Sequence, residues 1–142
     1  MSNISVELAS RADVDAIVDA WVALASDQRT HGSHLLAEEN RSTVREHVTH
    51  HVVGDRIFVA RTDGSVIGFV QFSTEVGSYR LDVDRGVVET IYVHPDHRDC
   101  GVGSRLLDRA ERALAADGIS VVSLEVMAGN TAARAFYEDR EY

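Results

Sequence analysis

The chain has 142 residues, the size of one domain spanning 1–142 that can bury most of its chain without disulfide or metal staples. Its 23 acidic residues stand against 14 basic ones, all arginine, for a formal net charge of −9, which argues against nucleic acid and anionic membrane as partners. Cys100 is the single cysteine and no window has the apolar length of a membrane span; with an amino terminus (MSNISVELASRAD) unlike a signal peptide, the expected compartment is the cytoplasm.

An acidic chain without lysine suits a cytosol of very high salt, where a strongly negative surface keeps protein in solution; a genome that writes Arg in place of Lys gives the same composition. At molar salt the Debye length is about 3 Å, so net repulsion of an anionic ligand is screened while short contacts survive.

Ile4, Val6 and Leu8 alternate with Ser5 and Glu7, which predicts a half-buried strand. Ser10 to Asp13 has the build of a capping box and opens a helix with the apolar stripe Val14, Ile17, Val18, Trp21, Val22 and Ala25. The pattern lapses between Asp27 and Ser33, and helical spacing returns with Val44, Val48, His51 and Val52. His47, His50 and His51 recur at helical spacing, with His31 and His34 upstream. A zinc site needs three or four converging ligands, and there is no H-E-x-x-H and no cysteine partner, so the histidines read as a solvated or partly packed face titrating near pH 6.5, with no metal.

Arg56–Arg61 and Val66–Thr74 are strands of a hairpin turning at Asp63-Gly64. A polar stretch from Glu75 to Arg85 leads to Val87–Val93 (VVETIYV), a run that predicts a strand buried on both faces. Simple alternation puts Glu89, Ile91 and Val93 on one face. His94-Pro95 ends the strand. From Val102 the period becomes 3.6, with Val102, Leu106, Ala110, Ala113 and Leu114 on one stripe and Asp117-Gly118 as the stop. Ile119–Val126 is a strand of the buried, parallel type, reached by a right-handed crossover. Asn130-Thr131 then caps a last helix carrying Ala132, Ala133, Phe136 and Tyr137.

Gly101 and Gly103 at the head of the central helix let a ligand approach the backbone, and the amides of the first turn point outward with the positive end of the helix dipole behind them. That suits a phosphate, although two glycines can also merely turn the chain; Arg98, whose guanidinium can complete a phosphate cradle, shifts the balance toward the anion seat. A dinucleotide fold needs its strand to run straight into G-x-G-x-x-G, but here 94–100 intervene and Leu106 holds the third glycine's place; a P-loop needs a lysine.

The run Y-V-H-P-x-x-R-x-x-G-x-G-x-x-L-L resembles the coenzyme A pyrophosphate loop of the GNAT superfamily of N-acetyltransferases, and N-T-A-A-R-A-F-Y-E resembles that family's second motif. Asp99 and Cys100 stand where family members commonly have Gly and a basic residue. The resemblance implies an α/β (α+β) fold: a mixed, mostly antiparallel twisted sheet with a central parallel strand pair and flanking helices. The chain ends at Tyr142, short of the family's usual C-terminal strands, which leaves a strand edge for a second copy of the chain to cover, unless the chain is truncated or the fold closes differently.

By the same resemblance, the activity is transfer of an acetyl group from acetyl-CoA to a primary amine of a small molecule or peptide, by direct attack in a ternary complex. The alternative is a non-catalytic CoA-binding or regulatory module. The cofactor would lie against Ile91, Tyr92, Val93, Arg98, Asp99, Cys100, Gly101, Val102, Gly103, Ser104, Asn130, Ala133 and Tyr137. Glu89 is the implied base, or else the structural partner of an arginine; an environment that raises its pKa, or a water relay, would have to match it to an ammonium. Tyr137 is the implied proton donor to the thiolate, or else a helix-packing aromatic, and the N–H of Val93 would meet the oxyanion. Cys100 reads as an incidental occupant of the loop, since no histidine–acid pair marks it as a nucleophile.

Overall fold

The computed structural model describes residues 3–30, 32–74, 85–98, 100–119 and 121–124. In order they form β1 (Ile4–Leu8), α1 (Val14–Arg29), α2 (Arg41–Val53), β2 (Ile57–Thr62), β3 (Ser65–Thr74), β4 (Arg85–Val93), α3 (Val102–Ala116) and β5 (Val121–Leu124). The strands lie side by side as β1-β2-β3-β4-β5. The first four are antiparallel neighbours, and β4 and β5 run parallel. This is the mixed sheet with flanking helices that the family resemblance implies.

Local chemistry explains most of the boundaries. The β2–β3 hairpin turns on Asp63 (φ 50°) and Gly64 (φ 81°), the pair of left-handed residues that a tight turn between twisted strands demands. The Ser10 N–H donates to Asp13 Oδ2 at 2.9 Å and closes the expected capping box. Asp13 is buried, and the Arg61 guanidinium meets both of its oxygens at 3.0 Å. At the far end of α3, Ile119 N–H donates to Leu114 O and Gly118 N–H to Ala115 O, both at 3.0 Å, a crossed pair that ends a helix in a left-handed residue.

The sheet separates two cores. On one face Val102, Leu106, Leu107, Ala110 and Leu114 of α3 pack on Phe58, Val70, Phe72 and Val88. On the other, Ile17, Val18, Val44, Val48 and Val52 of α1 and α2 cover Ile57, Val59 and Phe69. Each fully buried Leu, Ile, Val or Phe contributes about 1.5–3 kcal/mol, so these helices are held to the sheet by their apolar stripes. α3 is also tied to the sheet's first edge: Arg105 Nη1 donates to Ile4 O and Arg109 Nη1 to Val6 O, both at 2.9 Å.

Three expectations change. α1 continues to Arg29 through the polar stretch that begins at Asp27, with Gln28 on its buried side. β4 is not buried on both faces: Gly86 and Val88 are buried, while Glu89 to Val93 are only partly so. The reason is its neighbour, for β5 pairs with β4 only from Arg85↔Val121 to Val88↔Leu124, and among the described residues nothing flanks the rest of β4 on that side. Finally, Glu89, Ile91 and Val93 do not share a face. The register passes from Gln71↔Thr90 to Phe72↔Val88, so β4 carries an extra residue at Glu89, and a bulge reverses the parity of the residues beyond it. Val88, Ile91 and Val93 all pack toward α3, whereas Glu89 meets α2 and Tyr92 joins the α1–α2 core. Residues 125–142, with the expected end of the fifth strand and the last helix, lie outside the described residues.

Candidate functional site

Two arrangements meet on β4. The first is the loop at its C-terminal end. The His94 N–H donates back to Ile67 O at 2.7 Å and holds the strand's end against β3. His94 Nδ1 accepts from Asp96 N–H at 3.2 Å over a short 3-10 turn at Pro95–His97. Arg98 then reaches back, and its Nε donates to Val93 O at 3.0 Å. Its guanidinium is exposed and has no carboxylate partner among the described residues. Gly101 takes φ 78° at the head of α3, and a Cβ there would meet nothing within 4 Å. The N–H groups of Gly101, Val102, Gly103 and Ser104 donate to no acceptor among the described residues. Four outward amides at a helix start, beside an exposed guanidinium, make an anion seat. Cys100 is exposed and its Sγ lies 3.5 Å from Arg98 O.

The second arrangement lies on the opposite side of the sheet. Gln71 Nε2 donates to Glu89 Oε2 at 2.9 Å, and His51 Nε2 is 3.4 Å from each Glu89 oxygen. His51 Nδ1 is 2.7 Å from His47 O. A backbone carbonyl only accepts, so Nδ1 bears a proton. The hydrogen bond from His51, helped by Ser73 and Gln71, outweighs burial and holds the Glu89 carboxyl at about 2. Glu89 in turn raises His51, against burial. Among the described residues Glu89 therefore pairs with a histidine and not with an arginine, and its pKa moves down, opposite to the direction that direct proton abstraction wants.

Tyr92 stands between the two arrangements. It packs beside Phe69 with ring centroids 6.3 Å apart. Burial pushes its phenol up, with Arg98 pulling it down and Asp27 pushing it further up. The phenol thus sits between the end of α1 and the loop, and of Ile91, Tyr92 and Val93 only Tyr92 faces the α1–α2 side.

Of the residues singled out from sequence, the fold brings Ile91, Tyr92, Val93, Arg98, Cys100, Gly101, Val102, Gly103 and Ser104 together along β4 and the loop, and sets Glu89 on the α1–α2 face, the side of Tyr92 and not of Ile91 and Val93. Asp99, Asn130, Ala133 and Tyr137 lie outside the described residues. His51 and Gln71 were missed as partners of Glu89. The signal for His51 was its place among Val44, Val48 and Val52, where a solvated side chain has no business; that for Gln71 was a polar residue inside an apolar strand. Both are well covered, His51 with 16% of its side chain exposed and Gln71 at 7%. His47 is exposed, as is His50, in keeping with a solvated histidine face. Among the described residues no group of three or more His, Cys, Asp or Glu is placed to hold a metal, and no helix is long and apolar enough to cross a membrane.

A model of the acetyltransferase (GNAT) family matches residues 16–142. An acetyltransferase of Sodalis glossinidius is 35% identical over 88 residues, which are 62% of this chain and 57% of that protein, so the match spans little more than half of the relative. Among solved structures, a GCN5-related N-acetyltransferase from Ralstonia eutropha superposes with a TM-score of 0.79 at 20% identity, covering 99% of this chain and 92% of the other. The PaiA N-acetyltransferase from Thermoplasma acidophilum, in complex with coenzyme A, gives 0.74 at 19% identity over 97% and 88% of the two chains.

Proposed function

Since the chain belongs to the GNAT acetyltransferase family, we propose that it moves the acetyl group of acetyl-coenzyme A onto a primary amine, of a small molecule or a peptide, by direct attack in a ternary complex in the cytoplasm. The observation that carries this reading is the row of outward amides from Gly101 to Ser104, which have no acceptor among the described residues and lie beside a glycine whose Cβ position is open space. The donor set fits a pyrophosphate: neutral N–H groups along the backbone and one forked cation at Arg98.

When bound, the coenzyme supplies an acyl group already activated as a thioester. Gly101, Val102, Gly103, Ser104 and Arg98 would hold its phosphates, and the polar backbone of β4 from Ile91 to Val93, which β5 does not flank among the described residues, would hold its arm. Glu89 is ionised at neutral pH and faces the α1–α2 side of the sheet, so the acceptor amine enters from that side. An ionised carboxylate there draws in an ammonium and orients it. Tyr137 is the proton donor to the departing thiolate in this scheme, since a phenol stays protonated at neutral pH.

The test is thiol release from acetyl-coenzyme A over a panel of primary amines, with thermal shift by the coenzyme measured in parallel. The proposal expects a coenzyme-dependent shift and turnover with at least one amine. It expects Tyr137→Phe to lower kcat more than it weakens coenzyme binding. Binding without turnover over a broad panel would make the chain a non-catalytic coenzyme-binding module, and no shift at low or molar salt would remove the coenzyme altogether.

A further inference from the structure

The pairing of His51 with Glu89 has a use beyond holding α2 to β4. We propose that His51 is a positioning residue that also stores the proton of the acceptor: Glu89 collects it from the ammonium and passes it to Nε2 of His51. This rests on the acetyl-transfer reading above.

The donor and acceptor geometry carries the inference. His51 Nδ1 is committed as a donor to His47 O at 2.7 Å, which leaves Nε2 as the one atom of the ring that gains or loses a proton. That atom faces both oxygens of Glu89 at 3.4 Å. With a proton on Nε2 the pair is an imidazolium beside a carboxylate. Without it, a nitrogen lone pair points at two anionic oxygens, a repulsive arrangement that any incoming proton relieves. Gln71 donates to Oε2 and fixes the carboxylate's tilt.

The chemistry balances. R–NH3⁺ loses one proton to become the nucleophile; an O–H bond forms on Glu89, breaks, and an N–H bond forms on Nε2, leaving imidazolium and carboxylate. When the C–N bond forms and the C–S bond breaks, the second amine proton is released to the thiolate, and His51 returns its proton to water through the 16% of its side chain that remains exposed. Glu89, held at about 2, is too weak a base to keep the proton and only relays it; an imidazole begins about two units closer to an amine near 10 than even a free carboxyl near 4.3 does. Glu89 raises His51 further in the same direction.

Among the described residues few other charges bear on the pair. Arg56, just past the end of α2, opposes the imidazolium but is itself engaged with Asp117 at 3.0 Å. His47 and His50 share α2 and are exposed, with the His50 ring edge-on at 6.1 Å. Gln71 and Ser73 of β3 are uncharged.

The experiment couples a pH–rate profile at saturating acetyl-coenzyme A and amine with an NMR titration of the His51 ring. The wild-type kcat should rise through the same ionisation that NMR assigns to His51, above 6.5. In His51→Gln the limb should move down by at least about one unit and the plateau fall at least about tenfold, with KM for acetyl-coenzyme A unchanged; His51→Asn serves if that variant does not fold. In Glu89→Gln the His51 titration should fall. A His51→Gln profile that keeps the wild-type limb and plateau, or a His51 titration indifferent to Glu89→Gln, overturns the proposal. Coupled titrations with no turnover for any amine would instead sink the acetyl-transfer reading, and the proton role with it, while leaving the pair as a contact between α2 and β4.

Discussion

The loop after β4 and the cluster around Glu89 solve different problems with different material. The loop presents backbone: amides from a contiguous run, set free by one left-handed glycine and flanked by Arg98 tied to Val93 O. The cluster presents side chains, and its members come from α2, β3 and β4, as far apart in the chain as His51 and Glu89. A backbone seat tolerates most changes of side chain and fails only where φ is at stake. A side-chain cluster fails when any one member is lost, because the remaining charge or donor is left half-buried without its partner.

The largest break in that contrast should come from Glu89→Gln. It removes the charge at the acceptor side and should lower kcat about 10²- to 10⁴-fold while leaving the dissociation constant of acetyl-coenzyme A within a factor of two or so of wild type, as calorimetry would read. Gly68→Ala strikes where the two arrangements share β4. A Cβ at Gly68 would lie 2.6 Å from Tyr92 O and 3.4 Å from Leu106 Cδ1, so β3 and β4 must part. A loss of about 1–3 kcal/mol in urea denaturation is expected, with both coenzyme affinity and kcat reduced. Gly101→Ala puts a Cβ into open space but into a left-handed backbone, which costs about 1–2 kcal/mol. Coenzyme affinity should drop about tenfold, and turnover at saturating coenzyme should hold.

The smallest effect is on stability against pH. Glu89 is lowered from 4.5 to about 2 on folding, so its contribution is present above 4.5 and lost as pH falls through 2. His51 is raised from 6.5, so its contribution is complete below 6.5 and lost as pH rises through its folded value. Both act between about 4.5 and 6.5. The stability difference between wild type and His51→Gln should therefore peak near pH 5.5 and shrink by pH 9, at up to about 1 kcal/mol. A difference that grows toward alkaline pH would mean that the pair is not an ion pair.

The same contrast explains what could be read before the fold was known. Loop and helix α3 were legible because their evidence is local: Gly101, Gly103 and Arg98 stand within a few residues, and the stripe from Val102 to Leu114 has one period. The hairpin at Asp63-Gly64 and the capping box at Ser10 are local too. The facing of Glu89 was not legible, since it depends on one extra residue in β4 that only the pairing with β3 reveals. Alternation counted along an unbroken strand gives Glu89 the side of Ile91, and the bulge gives it the side of Tyr92. Its partner was hidden for the same reason, because nothing in the sequence near Glu89 points to a helix that ends before β2 begins.

The arginines that bind α3 to β1 have a mechanical consequence. Arg105 and Arg109 lie one turn apart and grip two carbonyls on the outermost strand, and Arg109 also rests over the Phe58 ring at 4.8 Å. A helix packed on the sheet and braced to its first strand should resist swivelling toward a ligand. Its leading turn is a fixed socket, and whatever docks there pays little to straighten the protein, so recognition at that end should proceed without rearrangement. The same grip occupies hydrogen-bonding sites along the outer margin of β1, which denies another chain a place to add a strand.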